Sequence, residues 1–114
     1  MKKKDFAIFK KHVKKWRDKL GVTDWDISVD MDELEPDRAA QCQYENQNRY
    51  ALITVDKDTE NATSRNLEGL AIHEVLELVM ADLREALCAF YNADLVDQHI
   101  HRVIRKLENN EIST

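Results

Sequence analysis

Apolar residues in the first twenty positions fall at Phe6, Phe9, Val13, Trp16 and Leu20, in steps of three and four. That spacing predicts an amphipathic helix with its lysines outward, and Gly21 is placed to end it. From Trp25 to Met31 the pattern changes to strict alternation of apolar and polar residues, the signature of a half-buried strand. Beyond an acidic turn at Glu35-Pro36-Asp37, residues 39–45 alternate more weakly and Asn46-Gln47-Asn48 reads as a turn. The run Tyr50-Ala51-Leu52-Ile53-Thr54-Val55 is the strongest β segment of the chain. These segments predict a hairpin added to the first strand, giving a small, mostly antiparallel sheet.

Residues 56–65 are polar and rich in helix-capping types. A long helix is expected over 66–90, with Leu70, His73, Glu77 and Met80 on one stripe and Leu67, Ala71, Val75, Leu78, Val79 and Leu83 supplying apolar bulk. Tyr91-Asn92-Ala93 interrupts the pattern, and a last helix follows over 94–108 with Val96, Ile100, Val103 and Leu107 toward the core. The expected order is α-β-β-β-α-α, a single α+β domain over residues 1–114 in which helices back a short sheet.

Two Gly and one Pro in 114 residues fit a chain made of regular elements rather than a disordered one. No apolar run approaches the roughly 20 residues that span a bilayer, and the start MKKKDFAIFKKH lacks the apolar stretch of a signal peptide. A cytoplasmic protein without membrane contact is expected, with Cys42 and Cys88 as reduced, chemically silent thiols. Charge is unevenly spread. Residues 1–20 hold nine Lys or Arg against two Asp, a net +7, while the remainder holds eight basic and twenty acidic residues, a net −12. Such polarity fits either a basic arm for an acidic partner or a solvated helix drawn to its own acidic body. His12 lies among these lysines and is expected to be solvated. Trp16 and Trp25 read as core anchors rather than base-stacking platforms, and a chain of net charge −5 without a nucleic-acid motif argues against RNA or DNA as a partner.

The chemistry concentrates in His73-Glu74-Val75-Leu76-Glu77, an HExxE run inside the apolar stretch 67–87. On a helix, residues four apart share a face, so His73 and Glu77 could grip one metal with Glu74 at its edge. The bland alternative is a core histidine flanked by acidic surface positions. A catalytic zinc needs three protein donors and an open position. The last helix offers Asp94, Asp97, His99 and His101 for the third. At 100° per residue, His99 lies about 70° from the centre of the expected apolar face and His101 about 130° away, which favours His99. With a metal to activate water, Glu74 would serve as general base, and Tyr44, Tyr50 or Tyr91 as oxyanion donor.

The whole pattern resembles a known family. A basic amphipathic helix leading into KLGVTDWDISVD, then short strands, then LEGLAIHEVLELVMADL and a last helix is similar to the minimal zincin-like metallopeptidases. These occur in phages and prophages and are close in layout to the SprT-like catalytic domain. The resemblance implies a zinc-dependent hydrolase of peptide bonds in a peptide or protein substrate, working in the host cytoplasm if phage-encoded. It implies Glu74 as general base, His73 as ligand and a third ligand on the later helix, carried onto His99. The family's second ligand histidine corresponds here to Glu77. A carboxylate still ligates zinc, shifts preference toward harder metals such as Mn²⁺, and makes the metal a poorer Lewis acid. The alternative is a catalytically silent zincin fold kept as a binding module. No Cys-rich zinc ribbon accompanies the domain, so nucleic-acid targeting through one is not expected.

Overall fold

A computed structural model describes residues 1–113, in the order α1 (Lys3–Lys19), β1 (Asp26–Asp32), β2 (Ala40–Glu45), β3 (Tyr50–Asp56), α2 (Ser64–Val79), α3 (Ala81–Cys88) and α4 (Ala93–Ser113). The α+β class is as expected. The first helix ends as its sequence dictates: Gly21 adopts φ 74°, its N–H donates to the Asp18 carbonyl, and the Val22 N–H reaches back to Arg17 at 3.0 Å. Those two bonds are the Schellman closure that a left-handed glycine permits. Helix α2 starts on Thr63, whose hydroxyl accepts from the Asn66 N–H at 3.2 Å.

The sheet is mixed rather than mostly antiparallel. Its order is β1-β3-β2, with β3 antiparallel to β2 and parallel to β1. The β2–β3 hairpin forms as expected, but β3 rather than β2 lies against the first strand. Apolarity explains the choice: Ala51, Ile53 and Val55 are fully buried, so the most apolar strand takes the centre and the polar β2 takes an edge. Phe9, Val13 and Trp16 of α1 and Leu67, Ala71 and Val75 of α2 join those β3 residues in one core, with Trp25 beside them. Both tryptophans are 3% exposed, the core anchors that their sequence setting suggested.

The helix expected over 66–90 is two helices. Met80, at φ −89° and ψ −3°, closes α2 and opens α3. Neither Gly nor Pro stands between residues 70 and 113 to announce the break. It leaves Val79 and Leu83 largely exposed, while Ala81 is buried. In α4 the buried positions are Val96, Ile100 and Ile104, with Val103 41% exposed, so the core-facing stripe is rotated from the expected one.

Candidate metal centre

Three elements converge on one cleft. Helix α2 supplies His73, Glu74 and Glu77, helix α4 supplies Asp97 and His101, and α3 supplies Arg84. The inner face of β2, with Cys42 and Tyr44, forms the opposite wall. The cleft has a volume of about 330 Å³ and opens into a second hollow of about 620 Å³ that shares Ala40, His73 and Glu74.

One ligand atom from each of His73, Glu77 and His101 falls within 4.8 Å of the other two, close enough for all three to hold a single metal ion. Glu77 Oε1 lies 3.8 Å from His73 Nε2 and 3.1 Å from His101 Nε2. The two imidazoles are stacked, with centroids 5.9 Å apart and planes 17° from parallel. Each turns Nε2 toward Glu77 and carries a carboxylate on its other nitrogen: Glu108 at Nδ1 of His73, and Asp97 at 3.4 Å from Nδ1 of His101. A carboxylate beside Nδ1 favours the tautomer that leaves the Nε2 lone pair free, the usual backing of a metal-bound histidine.

Glu77 divides its two oxygens. Oε1 faces the histidines, and Oε2 accepts from Arg84 Nη2 at 2.8 Å. The Arg84 guanidinium also donates to Asp97, while its Nε is buried without a hydrogen-bond partner among the described residues. Arg84 stands seven residues beyond Glu77, across the break at Met80, and reaches back to it. The negative charge of Glu77 is therefore balanced by a fixed cation, with Oε1 left facing the two histidines.

Glu74 is 6% exposed and makes no hydrogen bond with a described residue, while lining both hollows. Burial, reinforced by the charges of Glu77 and Glu108 and only partly offset by Arg38, pushes its carboxyl from the ordinary 4.5 to about 8. A buried carboxyl of raised basicity beside a candidate metal position suits proton transfer near neutral pH. Burial also raises the Cys42 thiol far above its ordinary value, with Glu74 and Glu77 adding to the effect, so it stays protonated. Tyr44 faces the same cleft with its hydroxyl raised by burial. Tyr50 and Tyr91 are 45% and 60% exposed and neither lines either hollow.

Of the residues singled out in the sequence, His73, Glu74 and Glu77 meet in the cleft. His99 does not join them. It is exposed and lines a small apolar hollow with Leu87, Tyr91, Leu95 and Val96, whereas His101, which the expected apolar face disfavoured, completes the group. The rotated stripe of α4 removes the ground for preferring His99. With Ile104 in place of Val103 the two histidines lie about 95° and 105° from the centre of the apolar face, and the wheel no longer separates them. What does separate them is that Asp97, His101 and Glu108 fall within about 40° of one another on the flank turned to α2. That flank, at spacings of four and seven, was the available signal. His12 also departs from expectation, because its Nε2 lies 3.0 Å from the Ser64 hydroxyl rather than in open solvent. Comparison with protein-family models, curated proteins and solved structures gave no match for this chain.

Proposed function

We propose that the protein is a small metal-dependent hydrolase of zincin-like type that cleaves a peptide bond, with His73, Glu77 and His101 as ligands and Glu74 as general base. The observation that carries this is the orientation of the two imidazoles, both turning Nε2 to Glu77 with a carboxylate on Nδ1. Two imidazoles and one carboxylate are a donor set suited to catalytic zinc, with manganese the harder alternative. When bound, such a metal polarises a carbonyl and makes water acidic enough to be a nucleophile at neutral pH. A helix carrying two candidate donors after a small sheet, with the third candidate donor on a later helix, supports the zincin-like reading; a phage-type protein working in the cytoplasm is part of that proposal.

The chain's own part follows from its groups. Glu74 accepts a proton from the attacking water and returns it to the leaving amine, and burial brings its carboxyl close to neutrality, where it can take up the proton and give it back. Arg84 holds Glu77 so that Oε1 remains presented. Tyr44, on the wall of the cleft, offers a hydroxyl donor for a developing oxyanion. A peptide substrate is favoured by β2. The Asp56 N–H donates to the Ala39 carbonyl, so in the antiparallel register Ala40, Cys42 and Tyr44 direct their backbone groups to the free edge beside the cleft. An extended peptide can add there as a strand.

Glu74→Gln tests the mechanism because it keeps the shape and removes the base. In zinc-loaded protein, turnover of an unstructured protein substrate is expected to fall about 10²–10⁴-fold while zinc content stays unchanged. Equal turnover in the variant would remove Glu74 from the chemistry.

A further inference from the structure

The cleft leaves the sharpest asymmetry of the chain unused, the +7 carried by residues 1–20. Little of that charge is neutralised within the fold. Lys15 pairs with Glu68 at 2.7 Å and Arg17 with Asp18 at 3.2 Å, but Lys10, Lys11 and Lys14 make no ion pair among the described residues. On α1, Lys3, Lys10, Lys14 and Arg17 fall within about 60° of one another, a cationic stripe roughly 21 Å long. Together with Lys11 the last three border a groove of about 700 Å³, whose other side is Ile27, Ser28 and Val29 of β1.

That strand is the second free edge of the sheet, across from β2. The Asp26 N–H donates to the Arg49 carbonyl and the Asp32 carbonyl accepts from Lys57, so the parallel register turns the even-numbered residues of β1 toward β3. Ile27, Val29 and Met31 then point their backbone N–H and C=O groups outward, along the groove.

We infer that this groove takes an extended acidic segment of a partner protein, added to β1 as a fourth strand with alternate carboxylates directed at Lys10, Lys14 and Arg17. Strand alternation matches the arrangement: every second side chain of an added strand lies on the helix side of the sheet, where the cations stand. A nucleic acid fits less well. The outward carbonyls of β1 repel phosphate, and Trp16 and Trp25 are buried, so the groove has no stacking surface. A second copy pairing β1 with β1 would set two cationic stripes side by side, a repulsive arrangement.

The test is fluorescence anisotropy with a labelled peptide of about eight residues alternating Glu and Val, beside the same peptide N-methylated at alternate residues, and a single-stranded oligonucleotide of similar charge. The Glu-Val peptide is expected to bind, and to weaken about tenfold in Lys10→Glu/Lys14→Glu and again about tenfold between roughly 50 and 500 mM NaCl. Its N-methylated form is expected to lose binding because the strand hydrogen bonds are gone. Lys10→Glu/Lys14→Glu should leave the zinc content of the protein unchanged, which separates the groove from the cleft. Equal binding of the N-methylated peptide, tighter binding of the oligonucleotide, or no peptide binding up to about 1 mM would each overturn the inference.

Discussion

Arg84 is the residue whose role was hidden in the sequence, where it is one of seventeen basic residues on a chain with twenty-two acidic ones. In the fold it is 20% exposed, binds Glu77 and Asp97, and stands where a cation is needed if a glutamate is to serve as ligand beside two histidines. Its value should depend on metal. Without metal, Arg84→Met leaves Glu77 and Asp97 facing one another with no fixed cation between them, and is expected to cost about 1–3 kcal/mol in urea unfolding. With zinc bound, part of that loss should disappear because the metal supplies the missing positive charge. Equal losses with and without zinc would mean that Arg84 supports the helices and not the ligand. By contrast, His73, Glu74 and Glu77 were readable as a group because one helix turn sets their relation, and no tertiary information is needed to bring them to one face.

At the level of elements, the contact between α1 and α2 is pinned by Glu68, which accepts from Lys15 at 2.7 Å and from Trp16 Nε1 at 3.0 Å, with His12 Nδ1 at 3.4 Å. The Lys15 and Trp16 hydrogen bonds hold its carboxyl below the ordinary 4.5. A carboxyl lowered by folding adds stability above its unfolded value and loses it as pH falls through the folded one. Between about pH 5 and pH 3 the protein is therefore expected to lose more stability than Glu68→Gln does, a difference of roughly 0.5–1 kcal/mol after screening by solvent. Parallel acid profiles of the urea midpoint would show the contact to be indifferent to this charge. Element identity was legible throughout because apolar spacing follows the period of each structure, as in Phe6 to Leu20 and Trp25 to Met31. The pairing of β3 with β1 was not, since register and neighbour choice depend on which strand the helices cover. The break at Met80 was equally silent, as no Gly or Pro marks it and only the packing of Ala81 distinguishes it.

Across the whole molecule the sheet has two unlike edges. Beside β2 lies a cleft rich in carboxylates and imidazoles, and beside β1 a groove lined with lysines, so the chain's charge polarity becomes a spatial one. No helix among the described residues is long and apolar enough to cross a membrane. The sequence places the motif helix before the last helix and favours His99, where the structure exchanges it for His101: an apolar stripe through Ile104 rather than Val103 leaves the two equivalent, and the flank shared by Asp97, His101 and Glu108 decides between them. That exchange makes the central claim measurable in one experiment: zinc content by elemental mass spectrometry on untagged protein never exposed to a chelating resin, compared with His73→Ala, His101→Ala and His99→Ala. About one zinc per chain, retained in His99→Ala and lost in the other two, is the result expected of a centre built from His73, Glu77 and His101. Zinc that survives His101→Ala, or that leaves with His99→Ala, would contradict it.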